Sequence, residues 1–402
     1  MKLLHTSDWH IGKILYSKKE RQSEYELFFA WLLKTINENS IDLLLVAGDI
    51  FDTSSPNSAS QKMYYDFLLK VVNSGCQNVV IIGGNHDSPS FLNAPKDILA
   101  VLNVYVIGNA TENIEDEIIL IRDNKNKIIA IICAVPFLRE RDISRFIEGE
   151  TYTDRSKRIA ENIKKHYEIV TEFAENLQKG IQKKIPVIAT GHLSVAGGKK
   201  VEDDGVRDIY IGNIECVGRE IFSPIFDYVA LGHYHIASVI DKHIRYSGSP
   251  VPMGFGEANQ KKSVTLVDFS EVTPITTTLE VPVFQKMESI RGDKSYISNR
   301  IEELKKSGSS IWVEIIYDGD DVFPELTTRV TELTANTKIE IIKLQNKQYQ
   351  NEVLTQNENK LSLDDLDKFE VFDILLEKNN ISTEKKEELK TLYHEITFLV
   401  EN

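Results

Sequence analysis

Cysteine is almost absent from the chain. Cys76, Cys133 and Cys216 are the only three in 402 residues, and their spacing fits neither a zinc site nor a disulfide framework. A disulfide-stapled scaffold and a cysteine-built metal site are therefore excluded. Long apolar runs are missing as well. With no stretch of about 18 consecutive apolar residues, no membrane-spanning helix is expected. The opening residues Lys2 to Thr6 run straight into a strand pattern, without the charged start and apolar middle of a secretory signal. A cytoplasmic protein is the expectation. Positive charge is also in short supply, with 47 Lys and Arg against 61 Asp and Glu and a net charge of −14. That balance argues against a chain-wide nucleic-acid surface. It leaves room for local basic patches, bound divalent cations, or a basic partner that completes a groove.

What is present is a globular composition, 42% hydrophobic and 27% charged, long enough for a large core and two or three domains. The organising stretch is Leu43-Leu44-Leu45-Val46-Ala47-Gly48-Asp49-Ile50-Phe51-Asp52. An apolar run closed by Gly-Asp reads as a buried strand that delivers Asp49 at its carboxyl end, where open α/β sheets bind ligands. A carboxylate has two oxygens and can bridge two metal ions about 3.5–4 Å apart, and Asp49 is read as that bridge.

The same pattern recurs along the chain. Residues 2–7 read as a strand followed by Asp8-Trp9-His10. Helical spacing of Tyr25, Phe28, Phe29, Leu32, Leu33 and Ile36 predicts a helix over 21–38, and a second helix, with an aromatic stripe of Tyr64, Tyr65 and Phe67, runs to about Asn73. That stripe reads as core or as a subunit contact. Val79 to Ile82 is a strand ending in Gly83-Gly84-Asn85-His86-Asp87, and residues 128–135 form another. A long amphipathic helix is predicted over 154–179. Two more strands end in Gly191-His192 and Gly232-His233-Tyr234-His235, and a closing strand covers Val264 to Asp268. Of nine histidines, His10, His86, His192, His233 and His235 sit at such strand ends, a concentration that chance placement does not produce. His5, His166, His243 and His394 have no such setting and read as structural or solvated.

These residues carry the signature of the calcineurin-like metallophosphoesterases. The segments HTSDWHIG, VAGDIFD, GNHDS, GHLSVAGG, RDIYIG, DYVALGHYH and YSGSPVPMGFGE, in this order, resemble the bacterial SbcD family of nuclease subunits over nearly the whole chain. The resemblance implies a manganese-dependent DNA exonuclease and endonuclease that works with SbcC, a coiled-coil ATPase. The implied assembly is a homodimer within a heterotetramer that holds two SbcC chains, with a nucleoid-associated location. It also implies two Mn2+ ions per chain. Asp8, His10, Asp49 and His235 would hold one ion, and Asp49, Asn85, His192 and His233 the other. His86 would be the catalytic group that assists phosphodiester cleavage without ligating metal, and Asp87 would orient His86 or a ligand histidine. Archaeal and eukaryotic relatives carry a histidine where this chain has Asp52. Arg139, Arg141, Arg145, Lys199, Lys200 and Arg207 lie near the same loops and could meet DNA phosphates or simply face solvent.

The expected fold class is α/β, a metallophosphoesterase β-sandwich flanked by helices over residues 1–280. Past that point no metal ligands appear. Strands and helices alternate over 284–343, read as a small α+β capping domain over 281–344. A polar linker covers 345–361. A C-terminal helix pair, 362–402, shows apolar stripes suited to the SbcC coiled coil. Two other functions fit less well. A phosphomonoesterase or nucleotide phosphatase needs neither cap nor terminal helices, and a non-catalytic DNA-end scaffold needs neither the full ligand set nor His86.

Overall fold

In a computed structural model of the chain, residues 1–346 are described except 146, 148, 200–215, 320–322 and 324; beyond them only residues 376, 386, 389, 390 and 393 are. The predicted linker and helix pair therefore lie almost wholly outside the described residues.

Two six-stranded sheets face each other. The first runs in the order Ile275–Glu280, Ser263–Asp268, Lys2–Thr6, Leu43–Ala47, Asn78–Ile82, Val104–Ile107. The second runs Ser238–Asp241, Ile244–Tyr246, Tyr228–Gly232, Val187–His192, Ile128–Cys133, Ile118–Arg122. The neighbours Lys2–Thr6, Leu43–Ala47, Asn78–Ile82 and Val104–Ile107 are parallel, as are Ile128–Cys133, Val187–His192, Tyr228–Gly232 and Ile244–Tyr246.

Side chains alternate along each strand. Leu43, Leu45, Ala47, Val80 and Ile82 point into the sandwich, against Ile119, Ile121, Ala130, Ile132 and Ile188 of the other sheet. Leu44, Val46, Val79 and Ile81 point outward onto helices Gln22–Asn39 and Ser58–Val72. Both faces are covered, which explains why these strands read as unbroken apolar runs. Helix Tyr152–Gly180 covers the second sheet's outer face through Ile159, Ile163, Tyr167, Val170 and Ala174. Thr151 caps it by accepting the Asp154 N–H, and Asn57 caps Ser58–Val72 by accepting that of Ser60.

The aromatic stripe on Ser58–Val72 is core. Tyr64 and Phe67 are 1% and 2% exposed, and Phe67 packs edge-on to Trp9 at 5.6 Å. Neither ring is left to face a second subunit: Phe67 packs on Trp9, in the loop that carries Asp8 and His10, and Tyr64 packs on Phe51, in the loop after Asp49. Phe67→Ala is expected to cost about 3–5 kcal/mol of unfolding free energy. The half-exposed Leu69 on the same helix, changed to Ala, is expected to cost within about 0.5 kcal/mol. Urea denaturation of both variants checks the contrast.

A third sheet of strands Lys286–Gly292, Ile311–Tyr317 and Ile339–Asn346, all parallel, is crossed by helices Lys294–Ser307 and Leu326–Thr334. Its own core includes Ile290, Ile297, Ile301, Val313 and Ile315. It docks on the sandwich through Met287, Trp312 and Ile342, which pack with Leu15 and Phe255. Lys19 pairs with Glu340 at 2.6 Å at the edge of that contact. Among the described residues no helix is long and apolar enough to cross a membrane.

Candidate metal centre

The parallel strands of both sheets end on one side of the sandwich, and the loops leaving them converge. Asp8, His10, Asp49 and His233 adopt positive φ, at 53°, 49°, 51° and 101°. Such backbone is uncommon outside glycine and costs on the order of 1–3 kcal/mol per residue. Local bonding holds it in place. The amides of Asp8, His10 and Ile11 donate to the carbonyls of Gly48, Asp49 and Ile50, tying the first two loops together. The Tyr25 hydroxyl donates to the His10 carbonyl at 2.9 Å, and the His233 amide donates to Asp8 Oδ1 at 2.9 Å.

All seven residues read as ligands are brought together. Asp49 Oδ2 lies 3.6 Å from His10 Nε2 on one side and 3.2 Å from His192 Nε2 on the other. His10 Nε2 is 3.1 Å from His235 Nε2. Asn85 Oδ1 is 3.0 Å from His192 Nε2 and 3.2 Å from His233 Nδ1. Donor atoms of Asp8, His10 and His235, of Asp8, Asp49 and His192, and of His10, Asp49 and His86 cluster closely enough to share an ion. The position of Asp49 between the two histidine sets is the one a bridging carboxylate requires.

The donor set fits divalent cations. His192 Nδ1 donates to the Ala47 carbonyl at 2.8 Å, so its Nε2 lone pair is aimed at two oxygen acceptors. Only a proton or a cation reconciles that arrangement. Burial by itself lowers the His192 imidazolium, but the charge and hydrogen bond of Asp49 raise it to about 9. Burial pushes the Asp49 carboxyl up, and His192 and His10 more than reverse this, holding it well below the usual range. Burial raises the Asp8 carboxyl. The mixture of imidazole, carboxylate and carboxamide suits manganese, iron or zinc better than magnesium.

His86 stands at the rim, 8% exposed, beside the half-buried Asn85 and 6%-exposed His233, while Asp8, His10 and His192 are fully enclosed. Its amide donates to Asp49 Oδ1 and its Nδ1 donates to the Asp52 carbonyl, each at 2.9 Å. Asp87 does not orient His86 or any ligand ring. Its carboxylate accepts three backbone amides, from Ile50, Phe51 and Gly84, and so staples the loop after Asp49 to the loop before Asn85. Oδ2 takes two of these bonds and Oδ1 the third, so both oxygens are engaged by backbone. Burial and the Asp49 charge raise it to about 6, against those three bonds. Arg139 Nη2 donates to the carbonyls of Gly84 and Asp87, so it braces this loop. Lys200 and Arg207 lie outside the described residues.

Gly84 is required by close approach. A Cβ there would overlap the Asp49 carboxylate and amide. Gly84→Ala is accordingly expected to lower manganese affinity at least about 10-fold, on the scale of losing a group that orients a ligand. Calorimetric titration of the variant measures it.

Two carboxylates stand behind the ligands, each closing a segment, VAGDIFD or YSGSPVPMGFGE, in which it was assigned no role at the metal centre from sequence. Asp52 Oδ1 is 3.4 Å from His10 Nδ1 and 3.1 Å from Lys13 Nζ. Glu257 Oε1 is 3.3 Å from His235 Nδ1.

Residues 1–237 match the model of the calcineurin-like phosphoesterases, and residues 283–380 match that of the type 5 capsule protein repressor C-terminal domain, the SbcD C-terminal family. The chain is 34% identical over 398 residues to the SbcD component of the nuclease SbcCD of Escherichia coli K12, covering 98% of this chain and 97% of that protein.

The chain belongs to the SbcD family of calcineurin-like phosphoesterases.

It is also similar to the SbcD components of the nuclease SbcCD from Rhodobacter capsulatus, at 34% identity, and from Bacillus subtilis, at 30%. Those two matches cover 67% of this chain and 67% and 66% of the respective relatives. Divalent metal binding goes with the phosphoesterase family, and the Asp and His groups gathered here fit it.

Proposed function

We propose that the chain is the metal-dependent DNA nuclease component of a complex with an SbcC-type ATPase, that it holds two Mn2+ ions, and that it hydrolyses phosphodiesters both at DNA ends and internally, including at hairpins. The observation that carries this is the convergence of seven residues with oxygen and nitrogen donors, Asp49 at their centre, from five strand ends of two sheets.

Asp8, His10, Asp49 and His235 form one ligand set, and Asp49, Asn85, His192 and His233 the other. When bound, the cations supply positive charge to the phosphoryl oxygens and make a water-derived nucleophile available near neutral pH. Asn85 contributes a neutral oxygen, so two carboxylates shared with two dications leave the centre net positive, as an anionic phosphodiester requires. Substrate enters on the side of Asn85, His86 and His233, the less buried part of the cluster. His86 Nδ1–H donates a hydrogen bond to the Asp52 carbonyl, which fixes the ring. With Nδ1 so engaged, Nε2 is the ring atom that would bond the phosphoryl oxygen as charge builds there, or pass a proton to the departing 3′-oxygen. The strained Asp8, His10, Asp49 and His233 backbone holds the donors in place before metal arrives.

One assay tests the reading. The purified chain, with and without its ATPase, is given a labelled hairpin duplex, single-stranded DNA and p-nitrophenyl phosphate, each with manganese and with a chelator. Manganese-dependent DNA cleavage abolished by the chelator is expected. Turnover of p-nitrophenyl phosphate with intact DNA would identify a phosphatase instead.

The ATPase contact is assigned to residues 362–402, whose sequence carries apolar positions Leu366, Phe369, Phe372 and Leu376, then Leu389, Leu392, Tyr393, Ile396 and Leu399. Each such side chain left in water forgoes about 1.5–3 kcal/mol of burial. A chain truncated after Asn359 is expected to keep manganese-dependent cleavage of single-stranded DNA, to remain a dimer, and to lose co-purification with SbcC. Undiminished pull-down of SbcC by the truncated chain would overturn the assignment.

A further inference from the structure

Glu257 sits in the short turn Phe255–Glu257, more than twenty residues past the last metal ligand, and its side chain is fully buried. Oε1 is 3.3 Å from Nδ1 of His235. Oε2 accepts the Met253 amide at 3.0 Å and the Ser249 hydroxyl at 3.4 Å, and it pairs with the Lys262 ammonium. Lys262, itself 7% exposed, also donates to the His235 carbonyl at 3.0 Å and to Ser249 Oγ at 3.0 Å. A buried ion pair therefore grips one histidine from two directions, at the ring and at the backbone.

A buried charge pair of this kind is costly to keep for stability alone, since apolar residues of similar volume often serve as well. Its geometry has a specific consequence. With Nδ1–H donated to Glu257, the His235 lone pair is placed on Nε2, the nitrogen 3.1 Å from Nε2 of His10. The opposite tautomer would put a proton where a metal bond must form. We propose that Glu257 is a positioning residue of the metal centre, fixing the tautomer and ring of His235, with Lys262 as its counter-ion. It acts on the ion held by Asp8, His10 and His235, and leaves the ion held by Asn85, His192 and His233 alone.

The turn that carries Glu257 is also the surface on which the third sheet docks. Phe255 packs with Met287, Trp312 and Ile342, stacks on Tyr16 at 5.5 Å, and donates its amide to the Tyr16 hydroxyl. The docking that fixes Phe255 fixes Glu257 two residues on.

The inference rests on the two-ion reading, and the experiment keeps the two apart. Manganese titrations by calorimetry are run on the full wild-type chain, on Glu257→Gln, and on Glu257→Gln with Lys262→Met, alongside thermal melting in chelator and the visible spectrum of the Co2+ form. The double variant removes both charges, so it stays interpretable if the single change leaves Lys262 unpaired and the chain unfolded. In a folded variant one of two ions is expected to bind about 10- to 100-fold more weakly, with the other unchanged within about 3-fold. The Co2+ spectrum is expected to change for one ion only, and Glu257→Asp to restore part of the affinity. Two ions bound at wild-type affinity in a folded variant overturn the role of Glu257 while the two-ion reading stands. A wild-type chain that binds fewer than two ions overturns that reading, and this inference with it.

Discussion

Asp49→Asn is expected to release both ions together. The Asp49 Oδ2 atom lies between His10 Nε2 at 3.6 Å and His192 Nε2 at 3.2 Å, and Oδ1 accepts the His86 amide at 2.9 Å. An asparagine retains the shape, but it loses the charge and presents an N–H₂ group to one of those partners. Each ligand set loses its only shared member, and the two buried histidines lose the carboxylate they face. The fall in manganese affinity is expected to exceed about 100-fold at both sites, beyond the 10- to 100-fold that follows loss of an outer partner. Cleavage should fall with it. Calorimetry that found one site intact would show that Asp49 belongs to one ion and is not a bridge.

His86→Ala is expected to give the opposite signature. His86 is the group in the cluster whose removal should cost chemistry and spare metal. Cleavage is expected to drop by about 10²- to 10⁴-fold, the range for a positioned proton donor, at unchanged manganese stoichiometry. Donor atoms of His86, His10 and Asp49 lie close enough together to share an ion, so geometry alone allows His86 to ligate. Counting bound manganese in the variant by inductively coupled plasma spectrometry decides between the two roles. Loss of an ion would make His86 a ligand.

The contrast between these two variants bears on what the sequence makes legible. Asp8, His10, Asp49, Asn85, His86, His192, His233 and His235 announce themselves because each follows an apolar strand, where a cluster of polar groups has no structural use. The strands Leu43–Ala47, Asn78–Ile82 and Val187–His192 are equally plain, since burial on both faces leaves only apolar residues. The edge strands Val104–Ile107, Ile118–Arg122 and Ile275–Glu280 are faint because one partly exposed face dilutes the apolar pattern. The groups behind the ligands are less visible still. Glu257 meets His235 across 22 residues of chain, in a glycine-rich turn with no periodicity to mark it. Asp87 lies in the right motif, but the sequence does not show that its carboxylate is spent on three backbone amides. The Trp9 ring packs edge-on to Phe29 and Phe67 and anchors the loop between two ligands, a contact between residues distant in the sequence.

The central claim is that one cluster of side chains, gathered around Asp49 at the strand ends of two sheets, holds two ions for phosphodiester hydrolysis. Anomalous scattering from crystals of the full chain grown with manganese tests it most directly. Two peaks about 3.5–4 Å apart are predicted, both within bonding distance of Asp49, with His86 coordinating neither. A single peak, or two peaks that do not share Asp49, would contradict the account.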